Sequence, residues 1–201
     1  DLDFWRNFNE RFYGFDHVEL ARNHTDEAHV GQHYALWLEE KGCTNWRDYF
    51  RSPTGTNDSQ YLHWNIPEEY HYDAWIAERT QAHLRQCADS NTPFFIWASF
   101  FDPHPSYLVP SPWDTMYDPE TVTVPHMTEG EHDRNPPHFA MTQQRNPDFG
   151  SYQEPGGSSM HGCHSHLHDD TDLRKEIAVY YGMVSLMDKY IGAILDTLDE
   201  A

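Results

Sequence analysis

Pro93-Phe94-Phe95-Ile96-Trp97-Ala98-Ser99-Phe100-Phe101-Asp102-Pro103-His104-Pro105 is the stretch on which the reading of this 201-residue chain turns. Residues 94–101 form a short apolar, aromatic-rich run of the kind that makes a buried strand. The run empties into a loop in which His104 stands between Pro103 and Pro105. Each proline fixes its own φ and biases the residue before it toward extended geometry, so the loop has few shapes open to it. Open α/β sheets place their chemistry in loops at the carboxyl ends of their strands. His104 is therefore read as an active-site residue, against the plainer reading of a histidine satisfied by backbone at a strand end. Asp102 is expected to fix the loop through backbone hydrogen bonds rather than to act as an acid or base.

Composition narrows the class. The apolar share is a low 38 %, but 7 Trp, 12 Tyr and 11 Phe mean that large rings must supply much of the burial. A disordered chain would lack them. The formal charge of −20, from 33 acidic and 13 basic residues, repels phosphate backbones and anionic membranes. Nucleic acid and membrane are therefore not expected as partners, and an anionic substrate would need a local cluster of metal, Lys, Arg or His. Cys43, Cys87 and Cys163 leave at least one thiol unpaired within the chain, which argues against a disulfide scaffold. No segment approaches a membrane span and no signal peptide is visible. The sequence opens on Asp1 without an initiator Met, so a leader or more is expected to be missing.

Local signals set out the elements. Gly14-Phe15-Asp16 reads as a turn, and Gln32 to Lys41 as a short helix stopped by Gly42. Residues 51–67 read as a loop. Asp73 is expected to cap a helix running to about Gln86. Residues 107–125 carry Pro110, Pro112, Pro119 and Pro125 and read as an ordered, meandering surface segment. Residues 127–171, dense in His, Pro, Gly, Asp and Asn, read as a loop-rich insert. The clearest element comes last. Leu173, Ile177, Tyr180, Val184, Met187, Ile191, Ile194 and Leu198 recur at steps of four and three, the apolar face of a long helix packed on a sheet. Thr171 is its expected cap, with Asp172 in the first turn. Gly182, Gly192 and Ala178 suggest close approach to a neighbour.

Four pieces, in order, carry a resemblance. Phe95 to Pro105 resembles the strand and DPHxP loop of type I sulfatases, members of the alkaline phosphatase-like superfamily. Gly14-Phe15-Asp16, Tyr34 to Gly42, and the final helix with Tyr180 to Val184 and Asp188 to Leu195 are similar to further segments of those enzymes. The resemblance implies an α/β class and a partial alkaline phosphatase-like sulfatase fold: one central sheet strand, packing helices and the long 127–171 insert. It implies that residues 1–201 are the middle part of a sulfatase catalytic domain, a fragment of a sulfuric ester hydrolase acting on a sulfate ester of a carbohydrate. His104 matches the histidine that hydrogen-bonds the sulfate group.

Two departures stand beside these matches. The family's nucleophile lies in C-x-P-S-R or S-x-P-x-R and becomes formylglycine. Cys43-Thr44-Asn45-Trp46-Arg47 lacks the central Pro and Ser and falls after the Gly14 turn, so it is rejected. The family's calcium is held by an early acidic pair and a later Ser-Asp-His/Asn-Gly strand end, and neither is present. The resemblance thus places formylglycine and the Ca2+ ligands outside this chain, assigns no metal ligand within it, and implies that the chain alone is inactive. It also implies export, to the periplasm or outside the cell, and a sulfated small molecule or glycan as partner.

Other residues admit two readings. His161, Cys163, His164, His166 and His168 suggest zinc by donor chemistry, but no second ligand pair appears. A polar loop rimming the substrate cleft is preferred, with His164 and His166 binding sugar hydroxyls. Trp113, Tyr117 and His126 could wall a sugar or aryl group, or merely cover a thin core. Glu68-Glu69 and Asp169-Asp170 are read as a solvated face and a helix start. Two rival functions remain open: a phosphonate or phosphodiester hydrolase of the same superfamily, and a non-enzymatic His-rich metal-binding module.

Overall fold

Large rings build the core, as the composition requires. Tyr34, Trp37, Trp46, Phe50, Trp64 and Trp75 are all buried in one cluster. The computed structural model describes residues 2–22, 30–50, 62–90, 92–126, 128–152 and 165–201. Among these residues five α-helices follow in chain order: α1 (Leu2–Arg6), α2 (Gln32–Glu40), α3 (Tyr72–Asp89), α4 (His138–Thr142) and α5 (Asp170–Glu200). The chain divides into two units, Asp1–Asp118 with Glu176–Ala201, and Pro119–Lys175.

Helix ends follow local chemistry. α2 stops as the sequence predicts, because Gly42 takes φ +83. Gly42 N–H then donates to the Glu39 carbonyl at 3.0 Å and Cys43 N–H to the Leu38 carbonyl at 2.9 Å. These two bonds close the left-handed helix stop that glycine favours. The other two caps differ from expectation. His71, not Asp73, caps α3, its Nδ1 accepting from Asp73 N–H at 3.2 Å. Asp73 enters the helix and is buried instead. Asp169, not Thr171, caps α5, its carboxylate accepting from Asp172 N–H at 2.9 Å.

The phase of α5 is also corrected. Its most buried face carries Ala178, Val179, Gly182, Met183 and Leu186, one position from the stripe read in the sequence. Small residues decide this. A Cβ on Gly182 would stand 2.1 Å from the Trp113 carbonyl oxygen, so the helix approaches that backbone where nothing larger fits. Gly192 has open space around it and makes no such approach. Ile177, Val184, Met187, Ile191 and Ile194 flank the contact half-buried. Val109, Val179, Met183 and Leu186 form the second apolar cluster beneath it.

The expected strand has no ladder partner, and among the described residues no sheet strand occurs, only the isolated bridges Phe12–Phe15 and His63–Val109. A strand needs a neighbouring strand to take its N–H and C=O groups. Here helices and turns lie on its packed side. Ala98, Phe100 and Phe101 lean on the aromatic cluster, whereas Phe95 and Trp97 are 76 % and 71 % exposed. Such a segment, apolar on both faces, has the pattern of a parallel-sheet strand covered on both sides. The α/β expectation is thus met only in its helices.

Pro119–Lys175 contains α4, two short 3-10 turns at Pro119–Thr121 and Gly150–Tyr152, and the first turns of α5. Arg174 donates to the Val122 carbonyl. Among the described residues Cys43 and Cys87 are free thiols, and no helix is long and apolar enough to cross a membrane.

Candidate functional site

The loop that carries His104 hangs from a buried anchor two residues earlier. Asp102 is 5 % exposed, and its Oδ1 accepts the hydroxyl hydrogen of Tyr72 at the start of α3. This side-chain bond, rather than a backbone bond, fixes Asp102. The Phe101 ring packs edge-on against Tyr72 at 5.2 Å between centroids. His104 N–H then donates to the Phe101 carbonyl at 3.0 Å, closing the turn. The His104 ring is exposed and its Nδ1–H donates to the Pro105 carbonyl. Tautomer and orientation are thereby set by a carbonyl.

Beneath the loop sits a polar cluster in a dry environment. His71 and Asp73 are wholly buried. His71 Nδ1 lies 3.8 Å from Asp73 Oδ2, and His71 Nε2 lies 3.9 Å from Asp102 Oδ2. The Trp64 ring packs against His71 at 5.3 Å. Burial alone holds the His71 imidazole down at about 3, so the ring is neutral. Burial pushes the Asp102 carboxyl up to about 7, against the Tyr72 hydroxyl and the adjacent Asp73 carboxyl, which favour its charge. Asp73 rises well above the usual carboxylate range, through burial first and then the neighbouring Asp102 charge. Two such carboxyls cannot both carry charge without a cation or a shared proton.

A second network ties the first unit together. Glu68 accepts from Trp113 Nε1–H at 2.7 Å, from the Tyr190 hydroxyl at 3.1 Å, and from Lys189. Burial raises the Glu68 carboxyl, but the Lys189 and Trp113 bonds outweigh it and hold it below its ordinary value. Glu68 is therefore a structural hub rather than part of a solvated acidic face. Trp113 is half-buried, with the Lys189 ammonium 5.6 Å from its ring centre. Tyr117 bonds Ser185 at 2.8 Å between oxygens.

The remaining sequence-predicted residues fall elsewhere. His166 belongs to Pro119–Lys175, its N–H donating to the Thr142 carbonyl at 2.8 Å, and His126 is exposed in the same unit. His161, Cys163 and His164 lie outside the described residues. A groove of about 320 Å³ is lined by Trp5, His17, Glu19, His33 and Arg79 among others. His104 does not line it.

Among the described residues, the groups that the resemblance implies find no seat. Calcium takes six to eight oxygen ligands. Among the described residues, the three-residue donor cluster is His71, Asp73 and Asp102, closed and containing an imidazole. Formylglycine would need a processed Cys or Ser at the reacting centre. Cys43 is buried, and burial pushes its thiol up, away from reactivity.

A multifunctional alkaline phosphatase superfamily protein, PehA of Trinickia caryophylli, is 25 % identical over 147 residues, covering 67 % of this chain and 25 % of that protein. An arylsulfatase of Clostridium perfringens (strain 13 / Type A) is 24 % identical over 188 residues, covering 92 % of this chain and 35 % of the enzyme. The chain thus spans between a quarter and about a third of the length of these curated relatives. The family model described as Sulfatase matches residues 13–201, beginning at the turn before Gly14 and running through α5. By that match, the chain belongs to the sulfatase family, whose fold is alkaline phosphatase-like and whose members are hydrolases.

Proposed function

We propose that this chain is the middle part of a longer enzyme that hydrolyses a sulfate ester of a carbohydrate, and that it supplies one catalytic group, His104. The observation that carries the proposal is an exposed imidazole on a proline-flanked loop whose root, Asp102, is buried and bonded to Tyr72. Hydrolysis converts the ester and water to an alcohol and sulfate, with departure of the ester oxygen as negative charge builds on it. With Nδ1–H held by the Pro105 carbonyl, the ring donates through Nε2–H only as the imidazolium. In that form the ring can pass its proton to the departing oxygen.

Residues 94–101 are assigned as the central strand of the sheet, with the exposed Phe95–Trp97 face covered by the rest of the enzyme. The nucleophile and metal ligands are assigned to that remainder as well. Trp113, His164 and His166 are assigned to substrate contact on the sequence argument. The Trp113 indole N–H is engaged by Glu68, so only its ring would meet a sugar. The substrate is a sulfated small molecule or glycan, and the site of action is the periplasm or outside the cell.

The test compares the full-length parent with its His104→Ala variant on p-nitrophenyl sulfate. Loss of a positioned general acid lowers kcat by about 100-fold or more, with the unfolding temperature unchanged. An unchanged kcat would remove His104 from the chemistry. The chain by itself releases no sulfate in the same assay. The likeness to PehA, described as a multifunctional alkaline phosphatase superfamily protein, favours a second reading in which the ester is a phosphonate or phosphodiester. A parent that prefers p-nitrophenyl phenylphosphonate to the sulfate would establish it.

A further inference from the structure

The cluster beneath the His104 loop has more unpartnered atoms than any proton can satisfy. Four buried side-chain atoms lack a hydrogen-bond partner: His71 Nε2, both oxygens of Asp73, and Asp102 Oδ2. Neither carboxylate has a Lys or Arg partner among the described residues, and the only ion-pair geometry either makes there is with His71. A proton shared between the two carboxyls would pair one Asp73 oxygen with Asp102 Oδ2. It would leave the other Asp73 oxygen and His71 Nε2 orphaned, each at the cost of a buried unsatisfied group. A single cation placed among them takes all four at once.

We infer that His71, Asp73 and Asp102 form a buried site for one divalent cation of the zinc type. One donor atom from each residue lies within 4.8 Å of the others. In a tetrahedral zinc site with bonds of about 2.0–2.2 Å, ligand atoms stand about 3.4 Å apart. The 3.9 Å between His71 Nε2 and Asp102 Oδ2 is within a small side-chain adjustment of that figure, and Asp73, whose Oδ2 stands 3.8 Å from the other ring nitrogen, must swing toward Nε2 within the 4.8 Å that bounds the cluster. Bidentate Asp73, monodentate Asp102 and His71 Nε2 would complete four bonds without water, the short bite of the Asp73 carboxylate distorting the tetrahedron. Magnesium keeps several waters and calcium needs more oxygens, so a dry site with an imidazole suits neither. Zinc accepts this mixed nitrogen and oxygen set.

Binding has a stated cost. Nε2 must lose its proton to Nδ1, which then stops accepting from Asp73 N–H, and α3 gives up its cap. In return the ion neutralises both carboxylates and joins the start of α3 to the loop that presents His104. The site differs from the calcium site that the family resemblance implies, whose ligands lie outside this chain, and it does not depend on which ester is cleaved.

The experiment uses the 201-residue chain without an affinity tag, stripped with chelator, loaded with zinc alone and dialysed. Near one zinc per chain is expected, with a higher unfolding temperature than the stripped protein. Asp73→Asn and Asp102→Asn keep the shape, and the amide oxygen introduced by the second can still accept from Tyr72; both variants are expected to lose the bound zinc. A His164→Ala/His166→Ala double variant is expected to keep it. Should the Asn variants fail to fold, zinc-edge X-ray absorption of the unsubstituted chain decides, since the site requires one imidazole with oxygen ligands. Absence of bound zinc, zinc lost with His164 and His166, or a shell containing thiolate or several imidazoles would overturn the assignment.

Discussion

Residues 94–105 have two sides, and they behave as different proteins. On the inner side, Ala98, Phe100, Phe101 and Asp102 are packed, and the one charged group among them is bonded and buried. On the outer side, Phe95, Trp97 and His104 meet solvent. The difference teaches where stability and chemistry are stored. The inner side determines where the loop sits, and the proposed function lies with the outer side. Substitutions on the two faces should therefore separate cleanly, in unfolding free energy on one and in function on the other.

The sharpest break comes at the root of the loop. Asp102→Ala leaves the buried Tyr72 hydroxyl without its acceptor and Asp73 without its neighbour. An expected loss of about 2–4 kcal/mol follows from an unsatisfied buried group plus a small cavity. Asp102→Asn retains an acceptor and should cost less than half as much. Chemical denaturation of the two variants checks this, and equal losses would mean that the Tyr72 bond is not what holds the loop. Phe100→Ala comes next. Its ring is half-buried against the aromatic cluster, so about 1–3 kcal/mol is expected, at or below the range for a fully buried phenylalanine.

Much of this inner side was legible, and the reason for the remainder is physical. The aromatic run, the proline-flanked histidine, the Gly42 stop and the period of α5 are local signals, written in consecutive residues. Apart from the two helix caps, His71 and Asp169, which are local, the sites that read differently depend on a partner distant in sequence. The phase of α5 is decided by the Trp113 backbone pressing on Gly182, not by which residues are largest. Asp73 reads as a cap, yet it is buried because Asp102 and His71 converge on it. Glu68 reads as a solvated acid until Lys189 and Trp113 are brought to it. No spacing rule in one sequence announces such meetings. The turn at His104 was legible because its restraint comes from its own neighbours.

Ion pairs extend the same inner-and-outer contrast to smaller effects. Both Arg79 Nε–H contacts to the Glu19 carboxylate measure 2.8 Å on the flank of α3, and that carboxylate is largely shielded. Burial raises the Glu19 carboxyl, but the Arg79 bonds and charge more than reverse this and hold it below its ordinary value. A depressed folded-state value means that the stabilisation is complete above the unfolded value of about 4.5 and disappears as pH falls through the folded one. Glu19→Gln should therefore cost up to about 1 kcal/mol at neutral pH and flatten the acid limb of the stability curve. The Arg11–Asp16 pair is exposed on both partners. Asp16→Asn should cost about 0–0.5 kcal/mol.

The smallest expected effect is on the outer face, and it is the most demanding test. Trp97 presents a large ring to solvent in this chain, so Trp97→Ser removes few packed contacts and should leave unfolding within about 0.5 kcal/mol. His104→Ala should be equally silent, because neither its backbone turn nor the Asp102 anchor depends on the ring. In the full-length parent the two variants should part company. If the outer face of residues 94–101 is covered by sheet neighbours there, Trp97→Ser becomes costly, at about 3–5 kcal/mol for a buried ring. His104→Ala remains silent in stability and loses turnover. A Trp97→Ser variant equally harmless in both contexts would leave that face open to water in the whole enzyme, and residues 94–101 would then not be an inner strand of its sheet.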